Sequence, residues 1–380
     1  MRPLATQLAP SLIRTIANAA MGRADLVPLW FGESDLASPA VAVAAAQASL
    51  ARGETFYGPN LGLPGLRAGL AGYLGRVHGV APAVEQVAVT SSGLNAILLV
   101  LSAIVDPGDE VVVVTPAWPN LVAVPQVLGA SVREVPLRLV DTRFALDSDD
   151  LVAALGPRTR AVLLNSPHNP TGWRMPAADL ARLVAELDRR GVWLVADEVY
   201  ARILRPGATV HSALAHLDDA ARVVVVNSVS KTWAMTGWRL GWVVAPRGFI
   251  AALERLIEFN TSCAPAFVQH GALAVLGPEG EAFVAMQQAR LEAARAAMSE
   301  VLAADPRVLV PETEATFYLF PRIAGLDDGT ALAWRAIDHG VGIAPGEAFG
   351  EAGRGHVRLC FARDPAVIRT ATRRLLAALG

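Results

Sequence analysis

Val223-Val-Val-Val-Asn-Ser228-Val-Ser-Lys231-Thr-Trp-Ala-Met-Thr-Gly237-Trp-Arg239 is the stretch whose reading decides the fold. Four consecutive valines read as a strand buried on both faces, and Asn227, Ser228 and Ser230 end it just before the lysine. That places an amine at the carboxyl end of a core strand, the edge of an open α/β sheet where ligands bind. Held among Trp233, Met235 and Trp238, the amine would be partly desolvated, which lowers its pKa and frees its lone pair. Lys231 is then a candidate Schiff-base former. The stretch alone equally allows Lys231 to open a surface loop, so the rest of the chain must decide.

The 380 residues suffice for a large core and a second domain, and 53% hydrophobic content leaves little room for disorder. Lysine plus arginine (33) nearly balance aspartate plus glutamate (35), so no strong field points to nucleic acid or an anionic membrane, and a small molecule is the expected partner. Cys263 and Cys360 are far apart and lack metal-ligand spacing; no metal is expected. The first residues carry no continuous apolar signal segment, and the longest apolar stretch, 94–105, is too short to span a bilayer. A cytoplasmic location is expected.

Between residues 47 and 276 short β-branched runs alternate with helical stretches. Strands are expected at 87–90, 110–115, 161–165, 192–197 and 222–227, with helices such as 176–190 between them. This is an α/β pattern with a mostly parallel central sheet. A long amphipathic stretch, 279–304, then leads to a strand at 316–320, a helix at 330–339, a strand at 356–361 and a last helix near 364–379. The Pro-punctuated segment 27–39 is too irregular for the main sheet and is expected to join the C-terminal part. The expected division is a large domain over 46–279 and a smaller α+β domain built from both ends, 1–45 and 280–380.

Polar groups collect at the carboxyl ends of the expected strands. Strand 87–90 runs into Ser91-Ser92-Gly93-Leu94-Asn95 and a helix, whose backbone N–H groups offer an anion site. Strand 192–197 ends in Asp197-Glu198-Val199-Tyr200, and strand 161–165 ends in Asn165-Ser-Pro-His-Asn169-Pro-Thr-Gly172, a rigid polar turn. Each alone is as readily a helix cap, a packed tyrosine or an ordinary loop. Several on one edge of one sheet are hard to call accidental.

Asn165 to Gly172, Ala196-Asp-Glu-Val-Tyr200 and Ser228 to Arg239 together resemble the signature blocks of the class I/II aminotransferases, the aspartate aminotransferase-like, fold type I pyridoxal-phosphate enzymes. The resemblance extends to Tyr57-Gly-Pro-Asn-Leu-Gly62, Pro116-Ala-Trp118, Gly32-Glu-Ser-Asp35 and Pro345-Gly-Glu-Ala-Phe-Gly350 with Arg358 beyond, and covers essentially the whole chain. It implies that the large domain binds pyridoxal 5′-phosphate, with Lys231 as tether and proton-moving base, Asp197 facing the ring nitrogen, and Tyr200 and Asn169 on the phenolic oxygen. Trp118 would stack on the ring, while Ser228, Arg239 and the N–H groups around Ser92, Gly93 and Leu94 would hold the phosphate.

By pattern alone Arg358 is a solvated strand arginine, since Val357, Leu359 and Phe361 alternate into a core. The resemblance implies instead a fork for the substrate α-carboxylate, with Asn169 and the Gly32 backbone beside it. It also implies that Tyr57 reaches the phosphate of a neighbouring subunit, so that a homodimer shares its sites. Three activities stay open: an aminotransferase, a pyridoxal-phosphate carbon–sulfur lyase or decarboxylase, and a non-catalytic ligand-sensing domain. In some members acting on acidic substrates a lysine follows the phosphate-turn glycine; here Leu94 stands there, so a neutral, apolar or aromatic amino donor is expected. Arg14, Arg23 or a partner residue could supply the charge for a dicarboxylate acceptor.

Overall fold

The computed structural model describes residues 6, 8–209 and 211–380. Residues 1–5 and 7 of the expected N-terminal share of the smaller domain lie outside the described residues. Seven strands form the central sheet: β1 (Val87–Thr90), β2 (Glu110–Thr115), β3 (Ser131–Pro136), β4 (Thr159–Asn165), β5 (Trp193–Asp197), β6 (Val223–Ser228) and β7 (Gly241–Val244). They lie in the order β1-β7-β6-β5-β4-β2-β3. Neighbours from β6 to β3 pair in parallel, and β7 alone runs antiparallel to both its neighbours. The fold is therefore α/β with a mostly parallel sheet.

The valine run shows why this sheet forms. Val223 and Val225 enter the core on one face and Val224 and Val226 the core on the other, the period of two that a strand imposes. Burying each contributes roughly 1.5 kcal/mol or more. One face is covered by helices Gly93–Ile104 and Arg247–Glu258, through Ile97, Leu101, Ile250 and Leu253. On the other, helix Ala177–Arg190 buries Leu180, Leu183 and Leu187, then stops at Gly191, whose φ of 68° is a left-handed cap that a Cβ would disfavour. Two strands were not legible in the sequence. β7 is four residues long and opens on a glycine, and the edge strand β3 carries charges on an exposed face.

The N-terminal and C-terminal parts of the described chain pair with each other. Val27–Pro28 pairs in parallel with Val341–Gly342, and Val357–Cys360 lies between Tyr318–Leu319 and Ala344–Pro345. Helix Pro278–Leu302 packs along helix Pro365–Ala378. Among the described residues no helix is long and apolar enough to cross a membrane.

Candidate active site

The carboxyl ends of β1, β4, β5 and β6 face one way and border a cavity of about 800 Å3. Between β1 and β6 the register sets Gly241 opposite both Thr90 and Ser228. A Cβ on Gly241 would stand 2.6 Å from the Gly93 nitrogen, so only glycine lets the start of helix Gly93–Ile104 sit against β6. The first N–H groups of a helix have no partner inside it, so Gly93 and Leu94 present donors to an anion, with Ser228 and Arg239 also lining the cavity. Ser92 does not line it: the side chain is buried and accepts the Asn95 N–H at 3.0 Å, capping the helix. Arg239 donates to the Thr236 carbonyl at 2.7 Å from a left-handed backbone, φ 54°.

Asn165, at the end of β4, ties two loops together. Its Nδ2 donates to the Asp197 carbonyl at 3.0 Å and its Oδ1 accepts the Asn169 N–H at 2.8 Å. The Asp197 carboxylate is buried on the cavity wall and accepts the Val199 N–H at 3.3 Å; burial pushes its pKa up to about 7. A buried acid this poorly satisfied suits a cationic partner. Tyr200 is buried with its hydroxyl 2.7 Å from that of Tyr318, and Trp118 stands half-buried at the start of helix Pro119–Val127.

Lys231 sits in the short helix Val229–Thr232 rather than in a surface loop. Gln287 Nε2 donates to the carbonyls of Lys231 and Thr232 at 3.2 Å each, fixing that turn. The Lys231 amine donates to the Gly32 carbonyl. Burial, reinforced by the Arg358 and Arg239 charges against an opposing effect of Cys360, pulls its pKa down to about 8.

Arg358 corrects the pattern-based expectation of a solvated side chain: it is 3% exposed. Its guanidinium lies 4.5 Å from the Tyr318 ring centroid and 4.8 Å from that of Phe349. It donates to Asn169 Oδ1 at 3.1 Å and to the Trp30 carbonyl, while its Nε is buried without a partner. The alternation rule failed because this strand is central in its small sheet and has protein on both sides.

Gly32, Gly93, Leu94, Trp118, Asn169, Asp197, Tyr200, Ser228, Lys231, Arg239 and Arg358 thus line one cavity. Tyr57 does not; it is 90% exposed. Arg14 lines the cavity, but Arg23 pairs with Asp25 at 2.6 Å and lies away from it. Two features escaped the sequence reading. Tyr318 was read only as part of a strand, and no local signal marks it. Lys231 is the only lysine among 380 residues, against 32 arginines, and a simple count would have singled it out. The donor set fits pyridoxal 5′-phosphate: an amine, a buried carboxylate for a protonated ring nitrogen, a helix N-terminus with serine and arginine for a phosphate, and an unpaired guanidinium Nε for a substrate carboxylate.

The chain matches the family described as aminotransferase class I and II over residues 25–375. It is 36% identical to the arginine–pyruvate transaminase AruH of Pseudomonas aeruginosa, over 95% of this chain and 92% of that one. Identity to an aspartate aminotransferase of Pyrococcus abyssi is 33%, over 93% and 91%. A Thermus thermophilus aspartate aminotransferase single mutant superposes with a TM-score of 0.92 at 30% identity, covering 100% of this chain and 99% of that one.

Proposed function

Because the chain belongs to the class I and II aminotransferases, enzymes that move an amino group between an amino acid and a 2-oxo acid, we propose that it does so with pyridoxal 5′-phosphate held in the cavity at the carboxyl edge of the sheet. The observation that carries this reading is that the chain's one lysine lines the same cavity as Asp197, the start of helix Gly93–Ile104 and Arg358. When bound, the cofactor supplies the aldehyde carbon that takes the amino group and a ring that withdraws electrons from the substrate Cα.

The chain's own groups do the rest. With its pKa lowered to about 8, roughly a tenth of Lys231 Nζ is neutral at pH 7, far more than for a free lysine, so it can act as nucleophile and carry a proton to and from the substrate Cα. Asp197 holds a proton on the ring nitrogen, and Tyr200 and Asn169 turn donors toward the phenolic oxygen. Trp118 packs on the ring, while Gly93, Leu94, Ser228 and Arg239 hold the phosphate, with the backbone near Ser92 forming that turn. Arg358 orients the substrate carboxylate beside Gly32. The proposal includes a homodimer in which Tyr57 completes the partner's phosphate site. It also includes a smaller domain formed by the two chain ends, supported by the pairing of Val27–Pro28 with Val341–Gly342. A cytoplasmic location is supported by the two unpaired cysteines. The donor is a neutral amino acid with an apolar or aromatic side chain.

Borohydride reduction of the cofactor-loaded protein tests the assignment. One cofactor mass should be fixed per chain, on the peptide that contains Lys231, and the chain has no other ε-amine to compete. Adding an amino donor without an acceptor should release one equivalent of 2-oxo acid. Release of ammonia or carbon dioxide instead would move the protein to a lyase or a decarboxylase.

A further inference from the structure

Tyr318 is 1% exposed and meets three parts of the site that come from distant stretches of chain. Its hydroxyl is 2.7 Å from the Tyr200 hydroxyl, three residues past the end of β5. Its ring lies 4.5 Å below the Arg358 guanidinium, on the neighbouring strand. Its hydroxyl also packs on the Gly32 backbone so closely that a Cβ there would stand 1.7 Å away, which makes Gly32 obligatory.

Each phenol carries one proton, and burial raises the pKa of both, so both remain donors at working pH. If Tyr200 donated to Tyr318, it would show the cavity only lone pairs and repel an anionic oxygen. With the order reversed, the Tyr200 proton is free to enter the cavity, and the bond it receives makes it a stronger donor. We propose that Tyr318 is a positioning residue: its hydroxyl donates to Tyr200 and so turns the Tyr200 proton toward the cofactor's phenolic oxygen, while its ring face holds the Arg358 guanidinium for the substrate carboxylate. One side chain then sets both the cofactor's electronic state and the substrate's anchor. The inference rests on the aminotransferase reading of the site.

The test is a pH titration of the visible absorbance of cofactor-loaded wild type, Tyr318→Phe, Tyr200→Phe and the double variant. A weaker donor leaves more negative charge on the phenolic oxygen, which holds a proton on the adjoining Lys231 nitrogen to higher pH. Tyr318→Phe should therefore raise the titration midpoint by about half a unit to one unit. In the Tyr200→Phe background the same change should add nothing, because its effect passes through Tyr200. Tyr318→Leu, which also loses the ring, should raise KM for the 2-oxo acid roughly fivefold, a cation–π contact's worth, while Tyr318→Phe leaves it nearly unchanged. The absorbance reports only molecules that have folded and loaded, so a lower yield does not blur the reading. An unshifted midpoint in Tyr318→Phe, an undiminished shift in the Tyr200→Phe background, or an unchanged KM in Tyr318→Leu would overturn the proposal. Wild type that takes up no cofactor would instead overturn the functional reading beneath it.

Discussion

Asn169 Oδ1 accepts a hydrogen bond from Arg358 Nη1 at 3.1 Å, joining the turn after β4 to a strand 189 residues later. That contact sets which end of the Asn169 amide faces Arg358 and turns its NH2 group toward other partners. The same contact and the two flanking rings fix the guanidinium plane. Arg358→Lys keeps the charge but loses the fork and the stacking. It should lower kcat/KM for donor and acceptor alike by roughly a hundredfold, about 2.7 kcal/mol, mainly through KM, with cofactor retention unchanged. Steady-state kinetics beside cofactor stoichiometry checks this, and equal losses in both would place Arg358 in the cofactor site instead.

Asp197 gives a pH signature to the cofactor-free protein. Its folded pKa, about 7, lies above the ordinary 3.8 because of burial, so the fold binds more protons than the unfolded chain across that window. Stability contributed by this group is present at low pH and falls as pH rises from about 4 to about 7, by about 1.4 kcal/mol per unit. Glu198, likewise pushed up to about 7 by burial, adds a slope of the same sign, moderated by its bonds from Ser212 Oγ and the Ala213 N–H at 2.7 Å. Urea unfolding at several pH values should show Asp197→Asn with the shallower slope of the two proteins. Matching slopes would mean that the Asp197 carboxyl does not titrate in the fold. In the loaded enzyme the same substitution should remove most of the rate while leaving the Lys231 adduct in place.

The doubly buried parallel strands were legible because burial on both faces forces continuous β-branched runs such as Val223–Val226, and the polar residues that end such runs mark the ligand edge. Asp197, Asn169 and Lys231 could therefore be placed on one edge by counting along the chain. Tyr318 could not, since its role depends on a side-chain meeting with Tyr200 across 118 residues that no local spacing encodes. Arg358 was misread by alternation for the same reason: a short strand with protein on both faces carries the same pattern as one with water on one side.

Tyr57 stands outside the cavity of its own chain, 90% exposed beside Phe56 at 86%. The segment is tied to the phosphate turn indirectly. Gly58 N–H donates to Cys263 Sγ at 3.3 Å, and Asn260 and Thr261, just before it, bond Asn95 and Ser91. Phe259, 87% exposed, belongs to the same loop. Bare aromatics beside an anion turn suit a second copy of the chain, with Tyr57 reaching the partner's phosphate. Tyr57→Phe should weaken cofactor retention. Mixed with Lys231→Ala after subunit exchange, it should form heterodimers with one intact site each, about a quarter of all sites at equal input. Activity no higher than the average of the two parents, with exchange demonstrated by mass, would refute the shared site.

The apolar side chains lining the cavity include Ile13, Phe31, Leu94 and Ile97, and the family resemblance puts Leu94 at the position where a lysine serves acidic substrates in some members. A carboxylate buried there without a partner costs several kcal/mol, on the order of 2–5. Leucine, methionine or phenylalanine should therefore exceed aspartate and glutamate in kcat/KM by roughly tenfold or more, about 1.4 kcal/mol. Leu94→Lys should narrow or reverse that preference by restoring the charge while roughening the apolar wall. Arg14 is the other cation on this side, its guanidinium 4.6 Å from the Phe31 ring centroid on the exposed face of helix Leu12–Ala19. Exposed and lining the cavity, it can meet the far carboxylate of a dicarboxylic acceptor without opposing an apolar donor. Arg14→Ala should then lower kcat/KM for 2-oxoglutarate several-fold, on the order of a surface-exposed ion pair of about 1 kcal/mol, and leave pyruvate unaffected. A wild-type preference for aspartate over leucine would overturn the apolar-donor assignment, and equal losses for both acceptors in Arg14→Ala would remove Arg14 from carboxylate recognition.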